Sequence, residues 1–257
     1  MKDHTLYNDL AKYYDIMYSK SGRIDYASLV KFLDNLFKKF KCKEILDIGC
    51  GTATTTLMLH KLGYEIEGTD LNRGMLDIAA QKASDIKFFQ SDMRDIRTKR
   101  KFDAAFISFR SFSYITENED VEKSIRSVNN ALKKGGIFVF DNFSAKNVIL
   151  SKIKSGKLTR KDTLEARQGD IHITRNSNSI TTFDGNVKMH WTADYKIKDG
   201  KKLIRKRETS ILRAFFLDEL ETLLKYNGFR IIDTYGDYKF AKFNNQINLI
   251  IVAEKVN

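Results

Sequence analysis

The 257 residues carry 42% hydrophobic and 30% charged side chains, values that exclude a disordered chain and fit one α/β domain with an insertion. The net charge of +12 favours anionic partners, whereas the longest apolar run, Leu249 to Ala253, is far short of the roughly 20 residues that span a membrane. Cys42 and Cys50 flank one predicted strand, too far apart for an undistorted disulfide, and Met1-Lys2-Asp3-His4-Thr5 has no apolar secretory core, so a reducing cytoplasmic setting without a metal site is expected.

Residues 5–18 have helical spacing, with Leu6, Leu10, Tyr13, Tyr14 and Met17 along one side. Ser21-Gly22 interrupts the pattern, and Asp25 is placed as N-cap of a second helix through Tyr26, Leu29, Val30, Leu33, Leu36 and Phe37. Tyr13, Tyr14, Tyr18 and Tyr26 exceed the aromatic content a surface helix needs. They fit either a cap on the core or a cover over a ligand, and residues 1–40 are read as an N-terminal helical lid.

Ile45-Leu46-Asp47-Ile48 reads as a buried strand, Gly49 and Gly51 as a tight turn, and Leu57, Leu59 and Leu62 as a helix. Glycines allow close backbone approach and a helix start offers free N–H groups, so this order suits a Rossmann-type nucleotide site. The dinucleotide pattern G-x-G-x-x-G is not met, because its third glycine would fall on Thr54. The form present is D-x-G-x-G-x-A, closing at Ala53. An ordinary strand–turn–helix corner has the same local pattern, so the downstream strands decide.

Strands and helices then alternate, as in α/β proteins. Strands are expected over Tyr64 to Thr69, Ile86 to Gln90, Phe102 to Ser108 and Ile137 to Phe140. The helices between them are Met75 to Ala83 and Asp120 to Leu132, the latter stopped by Lys133-Lys134-Gly135-Gly136. Asp70 follows the second strand, 23 residues after Asp47, where a carboxylate accepts ribose hydroxyls or caps the next helix. Asp92, in Gln90-Ser91-Asp92-Met93, is placed to accept from an adenine amino group, with Met93 over the ring face. Asp47, Asp70 and Asp92 form a series at successive strand ends, where open α/β sheets bind ligands.

From residue 170 the period changes to two, with turns at Asp184-Gly185 and Asp199-Gly200, so residues 170–213 read as a three-stranded antiparallel meander. Residues 151–213 hold 16 Lys/Arg against 7 Asp/Glu, a balance of +9 that suits an anionic acceptor, RNA or a solvated face. A helix through Leu217 and Leu224 and strands Phe229 to Thr234 and Ile247 to Ala253 close the chain.

Taken in series, the Asp47 motif, Gly68-Thr69-Asp70-Leu71, Gln90-Ser91-Asp92-Met93-Arg94-Asp95, Phe102-Asp103 and Leu132-Lys133-Lys134-Gly135-Gly136 resemble class I S-adenosylmethionine (SAM) methyltransferases. The resemblance implies a Rossmann-like seven-stranded mixed sheet with helices on both faces, and SAM as cofactor. Residues 41–150 and 214–257 would then form the SAM-binding domain and 151–213 an inserted acceptor or lid region. Tyr14-Asp15-Ile16-Met17-Tyr18, Asp25-Tyr26, Ser91-Asp92-Met93-Arg94-Asp95 and Phe109-Arg110-Ser111-Phe112-Ser113-Tyr114 are similar to the branch that N-methylates nucleotide-linked amino sugars and other small molecules. By that resemblance Tyr18 and Arg23 hold the methionine carboxylate and Tyr14 faces the acceptor, although the Tyr18–Asp25 spacer is one residue longer than the branch pattern. Gly49, Cys50, Gly51, Leu71, Met75 and Ser108 complete the expected cofactor shell around Asp47, Asp70, Asp92 and Met93.

Methyl transfer from a sulfonium is an in-line displacement for which alignment and water exclusion are the main requirements. Aromatic faces suit the sulfonium and a methylated ammonium, which singles out Tyr14, Tyr18, Phe109 and Tyr114. His190, His172 and Asp141 are the candidate bases, with His190 the one chosen; each also has a duller explanation, the histidines as polar-face residues of the meander and Asp141 as a strand-end acid. The expected function is SAM-dependent methylation of a small-molecule amine, by a monomer or homodimer away from membranes. An RNA methyltransferase, a Rossmann oxidoreductase and a non-catalytic SAM-fold binding protein are the alternatives.

Overall fold

The computed structural model describes residues 5–19 and 21–256. The secretory-core expectation for Met1 to His4 concerns residues outside those described. Residues 5–10 form turns and Ala11–Tyr13 one 3₁₀ turn; α-helix begins only at Tyr14–Ser19 (α1). The helix expected over 5–18 therefore exists only at its end, because tertiary bonds replace the helical ladder. Leu6 N donates to Glu208 at 3.0 Å, the Tyr7 and Tyr114 hydroxyls share a bond of 2.7 Å, and Asn8 reaches Asn72 at 3.4 Å. Helix α2 (Tyr26–Lys39) begins as expected, its Asp25 cap accepting from Ser28 N at 3.0 Å.

Strands β1 (Glu44–Ile48), β2 (Glu65–Asp70), β3 (Phe88–Gln90), β4 (Phe102–Ile107) and β5 (Leu132–Ser144) pair in parallel. Between them run α3 (Thr54–Lys61), α4 (Arg73–Lys82) and α5 (Asn118–Ala131). The Lys133-Lys134-Gly135-Gly136 run belongs to the start of β5 rather than to the end of the helix. The apolar β1, β4 and β5 are sandwiched between two cores, which is why they read as continuous hydrophobic runs. On one face lie Leu59 of α3 and Leu29, Phe32 and Phe37 of α2; on the other lie Val121, Ile125 and Val128 of α5. Each fully buried Leu, Ile or Phe contributes about 1.5–3 kcal/mol.

After β5 come α6 (Ala145–Ser155) and four long strands, β6 (Thr159–Gln168), β7 (Ile171–Phe183), β8 (Val187–Asp199) and β9 (Lys202–Phe215). The insert thus has one strand more than expected. Only Leu164 and Ala166 of β6 are buried, too few to give a period-two signal. The chain ends with α7 (Leu217–Tyr226), β10 (Phe229–Tyr235) and β11 (Asn248–Lys255). The expected seven-stranded sheet is present as β3-β2-β1-β4-β5-β11-β10, with β11 antiparallel to β5. It continues into the insert, because Ala214 and Phe215 of β9 pair with Phe143 and Ser144 of β5, making eleven strands in all.

The insert sheet has two unlike faces. Ile173, Ala193, Tyr195 and Ile197 are buried against Leu6, Leu10, Tyr13 and Met17 of the N-terminal segment. His190, Asp194, Lys196, Arg205 and Arg207 are exposed on the opposite face. The insert and the N-terminal segment therefore share one small core beside the carboxyl ends of β1, β2 and β4.

Candidate active site

A cleft of ≈ 990 Å³, counted out to its open mouth, lies at those strand ends. Asp47, in β1, is buried; its Oδ2 accepts from Thr56 Oγ1 of α3 at 2.7 Å and its Oδ1 has no partner among the described residues. Burial pushes this carboxyl up to about 7, opposed by the Thr56 hydrogen bond and assisted by the Asp70 charge. Asp70, at the end of β2, accepts from Gly51 N at 3.0 Å through Oδ2, and from Asn72 N at 2.8 Å and Asn72 Nδ2 at 3.1 Å through Oδ1. Burial raises its pKa, the same hydrogen bonds working against the shift. A carboxylate has about four lone-pair sites and three are taken, so Asp70 keeps capacity for one further donor.

Gly49 and Gly51 have φ of 73° and 55°, which fits the left-handed turn expected of glycine. A Cβ on Gly51 would meet nothing within 4 Å, so the peptide faces open cleft; one on Gly49 would lie 3.3 Å from Ser111. Ala53 takes the same conformation at φ 61° without being glycine, at a cost of about 1–2 kcal/mol. The turn is tied to the N-terminal segment, Thr52 Oγ1 donating to Asp15 at 2.6 Å.

On the far side the cleft is aromatic. Tyr7 sits 6.1 Å from Tyr14 and 6.0 Å from Tyr114, ring centre to ring centre, and Tyr26 meets Phe109 edge-on at 5.2 Å. Burial raises the Tyr7 and Tyr14 phenols well above their ordinary value, and raises Tyr114 and Tyr26, the latter to about 12. These rings are neutral at physiological pH. They present π faces and hydroxyls, not phenolates, to a cation.

Of the residues expected from sequence, Tyr14, Asp47, Gly49, Cys50, Gly51, Asp70, Leu71, Met93 and Ser108 line this cleft. Five do not. Met75 is wholly buried within α4. Asp92 is committed to Arg94, whose Nη2 and Nε donate to it at 2.7 and 3.0 Å; burial opposes but does not reverse the resulting fall in its pKa. Its neighbours Ser91 and Met93 face the cleft instead. Arg23 pairs with Asp162 of β6 at 2.8 Å. Tyr18 accepts from Arg175 at 3.1 Å, and Arg175 donates to the same Asp162 at 2.7 Å. His190 is exposed on the outer face of the insert, 3.1 Å from Thr182, so the base chosen from sequence is not at the site. The other candidates stand apart as well: His172 lies at the hairpin tips among Arg167 and Lys198, and Asp141 lies behind the loop after β4.

Sequence reasoning missed Tyr7, Asn72, Thr52, Thr54, Thr55, Ser91 and Ser111. Tyr7 was not singled out from the sequence; residues 5–10 form turns, and its side chain lines the cleft. Thr52 to Thr55 follow directly from the glycine motif and were legible there. Cys42 and Cys50 are free thiols. Among the described residues no helix is long and apolar enough to cross a membrane.

Fold and cleft together define an α/β enzyme with a nucleoside-cofactor site beside a ring of neutral aromatics. Residues 45–136 match the family model described as a methyltransferase domain. YqeM of Bacillus subtilis (strain 168), named a putative methyltransferase, is 31% identical over 201 residues, covering 76% of each chain. The dTDP-3-amino-3,4,6-trideoxy-alpha-D-glucopyranose N,N-dimethyltransferase of Streptomyces venezuelae is 25% identical over 87% of this chain and 91% of its own. The crystal structure of a SAM-dependent methyltransferase from Clostridium acetobutylicum ATCC 824 matches the fold with a TM-score of 0.78 at 24% identity, covering 98% of this chain and 99% of that one. The chain belongs to the class I SAM-dependent methyltransferases. Asp70, the open face of Gly51 and the unpartnered Asp47 Oδ1 are acceptors and space of the kind SAM requires for its ribose and its methionine end.

Proposed function

We propose that the enzyme methylates an amine nitrogen of a small molecule, in the first instance an amino sugar linked to a nucleotide. The observation that carries this reading is the cage of neutral tyrosines, Tyr7, Tyr14 and Tyr114, beside the cofactor cleft with no histidine among its lining residues. Such a cage stabilises a sulfonium losing its charge and an ammonium gaining it, and it desolvates an amine so that the neutral nucleophile is favoured. Asp70 and Asp47 hold the cofactor, while the rings align the lone pair with the methyl group and exclude water. Alignment of this kind contributes up to about 7–11 kcal/mol. The amine must be neutral to attack; its ammonium form sheds a proton to water as the cage desolvates it, so a protein base is dispensable. In this reading residues 1–40 are the lid, residues 41–150 and 214–257 bind SAM, and the inner face of residues 151–213 with Trp191 meets the acceptor. The sugar reading draws on the activity named for the Streptomyces venezuelae relative, whose likeness runs over 87% of this chain.

The test is incubation with SAM and dTDP-3-amino-3,4,6-trideoxy-alpha-D-glucopyranose, its 3-hydroxy counterpart, or total RNA, with products read by mass. Methylation of the amine alone is expected. Methylation of RNA alone, or of the hydroxy sugar as readily as the amine, overturns the proposal.

A further inference from the structure

Phe109 and Arg110, just after β4, are consecutive non-glycine residues at φ 56° and 64°. Left-handed backbone is rare for such side chains and persists where surroundings hold it, above all at functional sites. The conformation has a direct consequence. It turns the chain back so that Ser111 N and Oγ donate to Ser108 O at 3.3 and 3.0 Å, and it lays Ser108, Phe109 and Ser111 on the cleft. Ser111 then packs against the Gly49 turn.

What holds it is Asp141. This residue lies on β5, the strand next to β4, and is 4% exposed. Its Oδ1 accepts the Arg110 N–H at 2.9 Å and its Oδ2 accepts the Tyr238 hydroxyl at 2.9 Å. Tyr238 comes from the 236–247 connection between β10 and β11 and packs on Phe32 of α2 at 5.7 Å. The Arg110 side chain is fixed separately, stacked over Phe143 at 4.4 Å with Nη2 on Asn248. Both Asp141 oxygens are therefore engaged on the loop and its support, and neither faces the cleft.

We propose that Asp141, with Tyr238, is a positioning residue of the methyl-transfer site, holding the left-handed Phe109–Arg110 turn that places Ser108, Phe109 and Ser111 against the cofactor. A proton-transfer role is not part of this assignment. Asparagine at 141 keeps an oxygen for the Arg110 N–H and an amide for the Tyr238 oxygen, whereas alanine leaves both partners buried and unpaired.

The experiment measures S-adenosylhomocysteine binding by calorimetry and amide exchange of residues 109–111 in Asp141→Ala, Asp141→Asn and Tyr238→Phe. Asp141→Ala is expected to weaken binding about tenfold and to expose the Arg110 amide to exchange. Asp141→Asn should stay within about threefold on both readouts, and Tyr238→Phe should fall between them. Unchanged affinity and protection in folded Asp141→Ala, or in Tyr238→Phe where the alanine variant does not fold, overturns the proposal. So does an asparagine variant as impaired in binding as alanine, which would show that the carboxylate charge, not the two contacts, matters.

Discussion

Asp70 accepts the Gly51 N–H at 3.0 Å, so the acid that ends β2 also fixes the glycine turn that follows β1. If Asp70 takes the ribose, as proposed, that recognition and the shape of the glycine turn are coupled through one carboxylate. Asp70→Ala should weaken SAM binding by about 1–3 kcal/mol, the scale of a charge-assisted bond to a hydroxyl together with the lost support of the glycine turn. Calorimetry on folded protein checks it, and affinity equal to the parent would remove Asp70 from the site.

Asp47 gives a pH dependence with a definite sign. Its folded carboxyl is raised to about 7, well above the ordinary value, so its stabilising contribution is complete in acid and is lost as pH rises through about 7. Asp47→Asn keeps the Thr56 bond without the buried charge. It should raise stability at pH 8 by a few kcal/mol, roughly 1.4 kcal/mol for each pH unit by which burial lifts the carboxyl, with the gain fading to nothing near pH 4. Thermal melts across that range decide. A gain that is largest in acid would reverse the assignment.

The tyrosine cage predicts a shape requirement, not a phenolate. Tyr14→Phe keeps the ring that lies 4.7 Å from Tyr18 and 6.1 Å from Tyr7, and should leave kcat/KM within about twofold. Tyr14→Leu removes the π face and should cost about 1–2 kcal/mol in kcat/KM, the scale of a desolvated cation–π contact. Steady-state kinetics with saturating SAM distinguish them. A phenylalanine variant as slow as the leucine one would make the hydroxyl essential.

Legibility in the sequence followed periodicity and backbone chemistry. The β1 run, the glycine turn and Asp70 were readable because each is local: an apolar strand, a positive φ and a strand-end acid. The N-terminal segment was not, since its form depends on Glu208, Tyr114 and Asn72, which lie far along the chain. Asp92 was misread for a similar reason. Its strand-end position was right, but Arg94, two residues on, takes both its oxygens. Strand β6 escaped because it is an edge strand with one nearly unburied polar face, leaving hydrophobic alternation almost nothing to report. The two faces of β8 were assigned correctly as apolar and basic, but periodicity cannot say which one looks toward the site.

The outward placement of the basic face limits what its charge can do. Arg205 and Arg207 lie on the outer face, away from the N-terminal segment and the tyrosine cage, and Arg207 pairs with Asp194 at 2.7 Å where both are exposed. A fully exposed pair of that kind adds little stability, and charges beyond about 8 Å are largely screened at physiological salt. Attraction of an anionic acceptor by this face, the expectation from charge alone, has no short path to the cleft. Reversing both arginines to glutamate should therefore leave SAM affinity and acceptor KM within about twofold. The only expected effect is a small loss of stability, because Arg207→Glu sets a second carboxylate across the strand from Asp194. Kinetics at low and physiological salt test this with the same variant. A tenfold rise in acceptor KM that persists at physiological salt would mean the acceptor reaches around the sheet to these arginines.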